Sequence, residues 1–180
     1  MREPLAAVAV LVLLAGCGDG EDVGEKPDLP DETPALWNPC DVLDARFVEK
    51  NFGTVAEESN GEPTQPECRF VPAEDGEPAV TVNYLLFSGT LDEAWETMDI
   101  SPDAKSTSPD IEGADEARIV VNAGRKDIGV TGFVANGDLI QSVNVVDPAP
   151  YDEQQIIRGV RATLTVLSQH AVESGVEDPA

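Results

Sequence analysis

The chain has 180 residues, of which 35 are acidic and 11 are Lys or Arg, so its formal net charge at pH 7 is −24. Proteins that bind nucleic acid or dock electrostatically on anionic lipid need a basic surface, so this charge excludes both classes. Hydrophobic residues make up 41% of the chain, which is enough for the core of one folded domain.

An apolar run occupies residues 5–16. It is shorter than the roughly 20 residues that span a bilayer, and it has the length of the apolar part of a signal peptide. The run ends in Leu14, Ala15, Gly16 and Cys17, which resemble the lipobox of bacterial lipoproteins. The resemblance implies a signal peptide over residues 1–16, recognition of residues 14–16 by the signal peptidase, and diacylglycerol on Cys17, with further acylation such as palmitate. The protein would then be anchored in the cell membrane, facing outside the cytoplasm. Ordinary secretion and an uncleaved anchor are the alternatives.

Residues 17–36 are rich in acids, glycine and proline and show no apolar periodicity, which predicts an acidic disordered tether. Their acids lack the alternating positions and central glycine of an EF-hand loop, so they do not predict a calcium site. We expect a single extracytoplasmic domain over residues 37–171 and a disordered tail over residues 172–180.

The chain has three cysteines, at positions 17, 40 and 68. Lipidation of Cys17 would leave one pair, and outside the cytoplasm Cys40 and Cys68 are expected to form a disulfide bond. A redox dithiol and a metal-binding pair are the competing interpretations. The cysteines lack the C-x-x-C spacing of such sites, and the chain's single histidine, His170, is remote from them in sequence.

Local patterns within the domain predict eight elements in the order helix, strand, strand, helix, three strands, helix. Thr90 and Glu93 fit a capping box at the start of the second helix. In the last helix an apolar stripe recurs at helical spacing, and it consists of Ile156, Val160, Leu164, Leu167 and Ala171. We therefore expect an α+β fold, in which three helices pack on one face of a largely antiparallel sheet of about five strands.

Asn136 and Gly137 form the pair that is typical of a type I′ turn, which predicts a β-hairpin. A two-residue loop at these positions would pair Val134 with Leu139, Val130 with Val143 and Ile128 with Val145, all on the core face. Phe133 and Ile140 fall on the opposite, more polar face. They are either an exposed contact patch or are covered by a helix or loop.

The domain resembles a group of actinobacterial lipoproteins that share a domain of unknown function. The segments NPCDVL, CRF and IEGADEARIV, the hairpin and the final helix carry the resemblance, over roughly residues 37–170. The resemblance implies location and fold; the group has no established reaction or ligand.

The sequence contains no convincing catalytic motif, and we expect neither enzyme activity nor a metal or cofactor. Asp115, Glu116 and Arg118 are the most plausible polar cluster. The leading hypothesis is a non-catalytic, membrane-anchored module that binds a protein, a cell-wall component or a small apolar ligand in the cell envelope. A structural or accessory envelope protein is the second hypothesis, and a hydrolase that uses carboxylates is the third.

Overall fold

The computed structural model describes residues 37–62, 65–98, 100 and 104–175. Its elements in chain order are a short 3-10 helix (Pro39–Asp41), α1 (Ala45–Phe52), β1 (Ala56–Glu62), β2 (Gln65–Pro72), β3 (Ala79–Leu86), α2 (Leu91–Thr97), β4 (Lys105–Thr107), β5 (Glu116–Ala123), β6 (Asp127–Asn136), β7 (Leu139–Pro148) and α3 (Glu153–Ser174). Within these residues, seven strands form one antiparallel sheet in the order β1-β2-β3-β7-β6-β5-β4. The predicted α+β class with an antiparallel sheet is confirmed.

The predicted number of about five strands is wrong, because β1 and β4 add one strand at each edge of the sheet. The sequence of β1 is AEESNGE, which has no alternating apolar pattern, and β4 has only three residues. An edge strand needs little apolar surface, and charged side chains there discourage pairing with another chain. The polar sequence of β1 and the short length of β4 suit both segments to an edge, and for the same reason apolar periodicity does not predict them as strands.

The main core lies between the sheet and the helices α1 and α3, on the side that we call the α3 face. The predicted stripe of α3 is confirmed, since Ile156, Val160, Leu164, Leu167 and Ala171 are all buried. α3 continues past the predicted domain boundary at residue 171 to Ser174. At Gly159 the two helices approach closely, because a Cβ atom there would lie 2.5 to 2.9 Å from ring atoms of Phe52.

The β6–β7 hairpin has the predicted core face but a different register. Asn136 pairs with Leu139 and Val130 pairs with Val145, so the two-residue loop is Gly137–Asp138 rather than Asn136–Gly137. Positive φ occurs at Gly137 alone among these loop residues, which is the pattern of a type II′ turn. Asn136 is not in the loop because its buried side chain donates hydrogen bonds to the Gly113 carbonyl (2.7 Å) and to Ser168 Oγ (3.1 Å).

α2 packs on the opposite side of the sheet, the α2 face, so the prediction that all three helices share one face is wrong. Leu91 and Ala94 of α2 form a second buried cluster with Val120, Phe133, Ala135 and Ile140. Phe133 is 7% exposed and Ile140 is 1% exposed. These two residues are therefore not an exposed contact patch, because α2 covers the apolar part of this face.

The predicted Cys40–Cys68 disulfide bond is confirmed, with a sulfur–sulfur distance of 2.07 Å and a Cα–Cα distance of 5.1 Å. It ties the 3-10 helix before α1 to strand β2. Cys68 is fully buried and belongs to the main core. The bond thus fastens the beginning of the domain to its sheet.

Trp37 fixes the first described residues against α3. Its indole N–H donates to the buried Gln141 side chain at 2.9 Å, and its ring lies 4.5 Å, centre to centre, from the His170 ring. Gln141 in turn donates to the Leu167 carbonyl at 3.1 Å.

In the described part of the chain, no helix has the length and apolar character needed to cross a membrane.

Candidate binding site

A cleft opens on the α2 face, between the first turn of α2 and the start of β5. We call it the Glu116 cleft; its volume is about 310 Å³, and it is lined by Asp92, Ser108, Pro109, Asp115, Glu116, Ala117 and Arg118. A smaller hollow of about 180 Å³ shares Asp115 and Glu116 and has Leu91 and Ala135 in its apolar wall. The structure thus brings together the three residues of the predicted polar cluster.

Arg118 is held in the wall of the Glu116 cleft by two side chains of α2. Its guanidinium forms an ion pair with Asp92, and its Cζ atom lies 4.5 Å from the centre of the Trp95 ring. Trp95 packs edge-on against Phe133, with ring centres 5.9 Å apart. Asp92 and Trp95 are three residues apart on the helix, so they face the same side. The positive charge of Arg118 is therefore already engaged within the domain.

Asp115 is engaged by the neighbouring hairpin. Its Oδ2 atom accepts a hydrogen bond from the Gly137 N–H at 2.8 Å, and its own N–H donates to the Ala135 carbonyl at 2.9 Å. These bonds connect the entry of β5 to the β6–β7 turn. Asp115 thus has a structural role at the edge of the cleft.

Glu116 is the partly buried carboxylate of the cleft. Its Oε2 atom is buried and has no hydrogen-bond donor among the described residues. A carboxylate oxygen that is removed from water without a donor raises the free energy of the folded state. A charged donor from a bound molecule would satisfy it, since charge-assisted hydrogen bonds to carboxylates are the strongest of their kind.

The cleft as a whole favours a cation. Three carboxylates and one guanidinium line it within the described part of the chain, and two of these carboxylates are held by Arg118 and by the Gly137 N–H. The sequence pattern does not identify Asp92 and Trp95 as members of the site. The capping box indicated where α2 begins, but it gave no signal for the strand that the helix contacts.

The other predicted site residues are those of the lipobox and the two cysteines of the disulfide bond. Leu14, Ala15, Gly16 and Cys17 lie outside the described residues. Cys40 and Cys68 form, with Glu58, the one group of three metal-ligating side chains within 4.8 Å among the described residues. Because both sulfur atoms belong to the disulfide bond, neither is available as a thiolate ligand.

Comparison with family models, curated proteins and solved structures finds no match for this chain. The interpretation of the site therefore depends on its geometry and chemistry.

Proposed function

We propose that the chain is a lipid-anchored extracytoplasmic binding module of the actinobacterial type described above, and that it binds a positively charged group of an envelope protein or cell-wall component. The observation that carries the proposal is the buried, unpartnered Oε2 atom of Glu116 in a cleft lined by carboxylates. A primary amine or guanidinium would supply the missing donor and neutralise the charge. A small apolar ligand would leave the oxygen unsatisfied, so this part of the initial hypothesis is less favoured.

The other two carboxylates of the cleft, Asp92 and Asp115, are already bonded within the domain, which favours binding over hydrolysis. A glycosidase needs two carboxyl groups with separate roles, one as acid and one as base or nucleophile. Asp92 is paired with Arg118, and Asp115 accepts from the turn at Gly137. Among the described residues, Glu116 remains as the single unengaged carboxylate that lines this cleft, which suits recognition of a cation better than a two-carboxylate mechanism.

Isothermal titration with a short lysine peptide tests the binding proposal. The protein carries Cys17→Ser, so that no lipid interferes, and glutamate peptide of the same length serves as the negative probe. Glu116→Gln should weaken lysine-peptide binding by roughly 10-fold or more, since a lost charge-assisted bond corresponds to about 1.5–3 kcal/mol. Glu96→Gln is the matched control, because Glu96 is exposed on α2 and does not line the cleft.

Equal weakening by the two variants would contradict the proposal, because it would mean diffuse attraction to an acidic surface.

The lipid anchor is tested separately by metabolic labelling with palmitate. The same Cys17→Ser change should abolish the label, and a label that persists would reject the assignment of Cys17.

A further inference from the structure

The Glu116 cleft reaches the outer edge of strand β5 and does not lie on one face of the sheet alone. Glu116, Ala117 and Arg118 all line it. Arg118 contacts Trp95 of α2, whereas the Ala117 side chain is buried in the main core on the α3 face. Successive side chains of a strand point to opposite faces, so a cleft that is lined by three in a row opens at the edge of the strand.

The β6–β7 hairpin determines which backbone groups of β5 point to this edge. A two-residue loop is closed by a hydrogen-bonded pair, here Asn136 and Leu139, so the backbone groups of Asn136 point to β7. Directions alternate along a strand, so the N–H and C=O of Ala135 point to β5, where its partner is Glu116. The N–H and C=O of the next β5 residue, Ala117, therefore point away from β6 and toward the cleft.

Strand β4 leaves this part of the edge open. It pairs with residues 119–121 of β5, and the same register continued would set Pro109 opposite Ala117. Proline has no N–H, so it cannot donate to the Ala117 carbonyl. Beyond Pro109 the chain turns to the α3 face, where the Asp110 carbonyl accepts a hydrogen bond from Arg161 at 3.0 Å. Within the described part of the chain, the loop after β4 makes no backbone hydrogen bond to Ala117.

We propose that the Glu116 cleft binds an extended peptide, which adds to the edge of β5 as a short antiparallel strand and places a lysine side chain against Glu116. The inference rests on the proposed function, because it takes the bound cation to be a lysine ammonium. One peptide residue lies opposite Ala117 and exchanges two backbone hydrogen bonds with it. The residue after it lies opposite Glu116 on the same face of the sheet, so a lysine there supplies the donor that Oε2 lacks.

Two backbone-methylated peptides test the proposal by isothermal titration, with the full chain carrying Cys17→Ser. The parent peptide has blocked ends and one lysine flanked by two alanines on each side. Methylation of the amide of the alanine before the lysine removes the donor to the Ala117 carbonyl, and it should weaken binding by about 5-fold or more. Methylation of the lysine amide is the matched control, because this N–H points away from β5 and the affinity should be retained.

Glu116→Gln separates failure of this inference from failure of the proposed function. It should weaken binding of the parent peptide and of the control peptide alike. If Glu116→Gln weakens binding but the two methylated peptides bind equally, or if a single blocked lysine binds as tightly as the parent peptide, strand addition is overturned and the cation site stands. If the parent peptide does not bind, or binds the Glu116→Gln variant equally well, both are overturned.

Discussion

Reduction of the Cys40–Cys68 bond is the perturbation whose effect on stability can be estimated most directly. The two cysteines are 28 residues apart in sequence. In the chain-entropy model, opening a loop of this size lowers the free energy of unfolding by about 3.6 kcal/mol. Marginally stable domains have about 5–15 kcal/mol in total, so the bond supplies a substantial part of the stability.

Urea titration of oxidised and reduced protein, followed by the fluorescence of Trp37 and Trp95, measures this difference without changing any side-chain volume. With a urea slope of about 2 kcal/mol/M, the loss corresponds to a midpoint that is lower by roughly 1.8 M. The slope itself should increase on reduction, because the unfolded chain without the cross-link exposes more surface. A Cys40→Ser, Cys68→Ser variant should unfold at or below the reduced midpoint, since Cys68 is fully buried and a hydroxyl is poorly accommodated there.

A midpoint that moves by less than about 0.5 M, or about 1 kcal/mol at this slope, would refute the reasoning. It would mean that the unfolded chain is already restricted in this region. Equality of the two slopes would point to the same conclusion, because it would show that the cross-link does not change how far the unfolded chain opens.

Two further predictions concern single residues. Gly159→Ala should destabilise the domain by about 1–3 kcal/mol although alanine favours helices, because its Cβ would overlap the Phe52 ring. Gly129→Ala is the control and should be nearly neutral. Beyond the chain neighbours of Gly129, no heavy atom lies within 4 Å of the position of the added methyl group. Asp147, which is 7% exposed at the end of β7, should make the fold less stable as pH rises. Burial and, secondarily, the charge of Glu77 hold its folded-state pKa above the ordinary value of 3.8, so the native state keeps the proton to higher pH than the unfolded chain does. The loss begins near pH 3.8 and ends once pH exceeds the raised pKa, and Asp147→Asn should remove it from a series of urea titrations between about pH 3 and pH 8.

Periodicity predicted the parts of the fold that are determined within one segment. The stripe of α3 and the core face of the β6–β7 hairpin both follow from local spacing, and both are confirmed. The hairpin register was missed because Asn136 is drawn into the interior by Gly113 and Ser168, which are distant in sequence. A dipeptide that suits a turn does not reveal that one of its side chains has buried partners elsewhere.

The candidate site was predicted less completely, for a related reason. The sequence indicated that Asp115, Glu116 and Arg118 are close together, since they are neighbours along one strand entry. It did not indicate that Glu116 is partly buried, because this depends on α2 packing against the same face of the sheet. Phe133 and Ile140 indicated that another element packs on this face, since large apolar side chains on the polar face of a hairpin are usually covered by a helix or loop.

The carboxylates of Glu116 and Asp147 should act independently, because the sheet separates them. Glu116 is aligned with Ala135 on β6, whereas Asp147 is aligned with Ile128 of the same strand, and the two side chains lie on opposite faces. Seven residues of strand separate these positions, which corresponds to about 23 Å at 3.3 Å per residue. Effects at such distances are normally additive. Asp147→Asn should therefore leave lysine-peptide binding unchanged, and Glu116→Gln should leave the pH dependence that Asp147 contributes to stability unchanged. If either variant altered both measurements, the two effects would have to arise from the net charge of the domain and not from two defined sites.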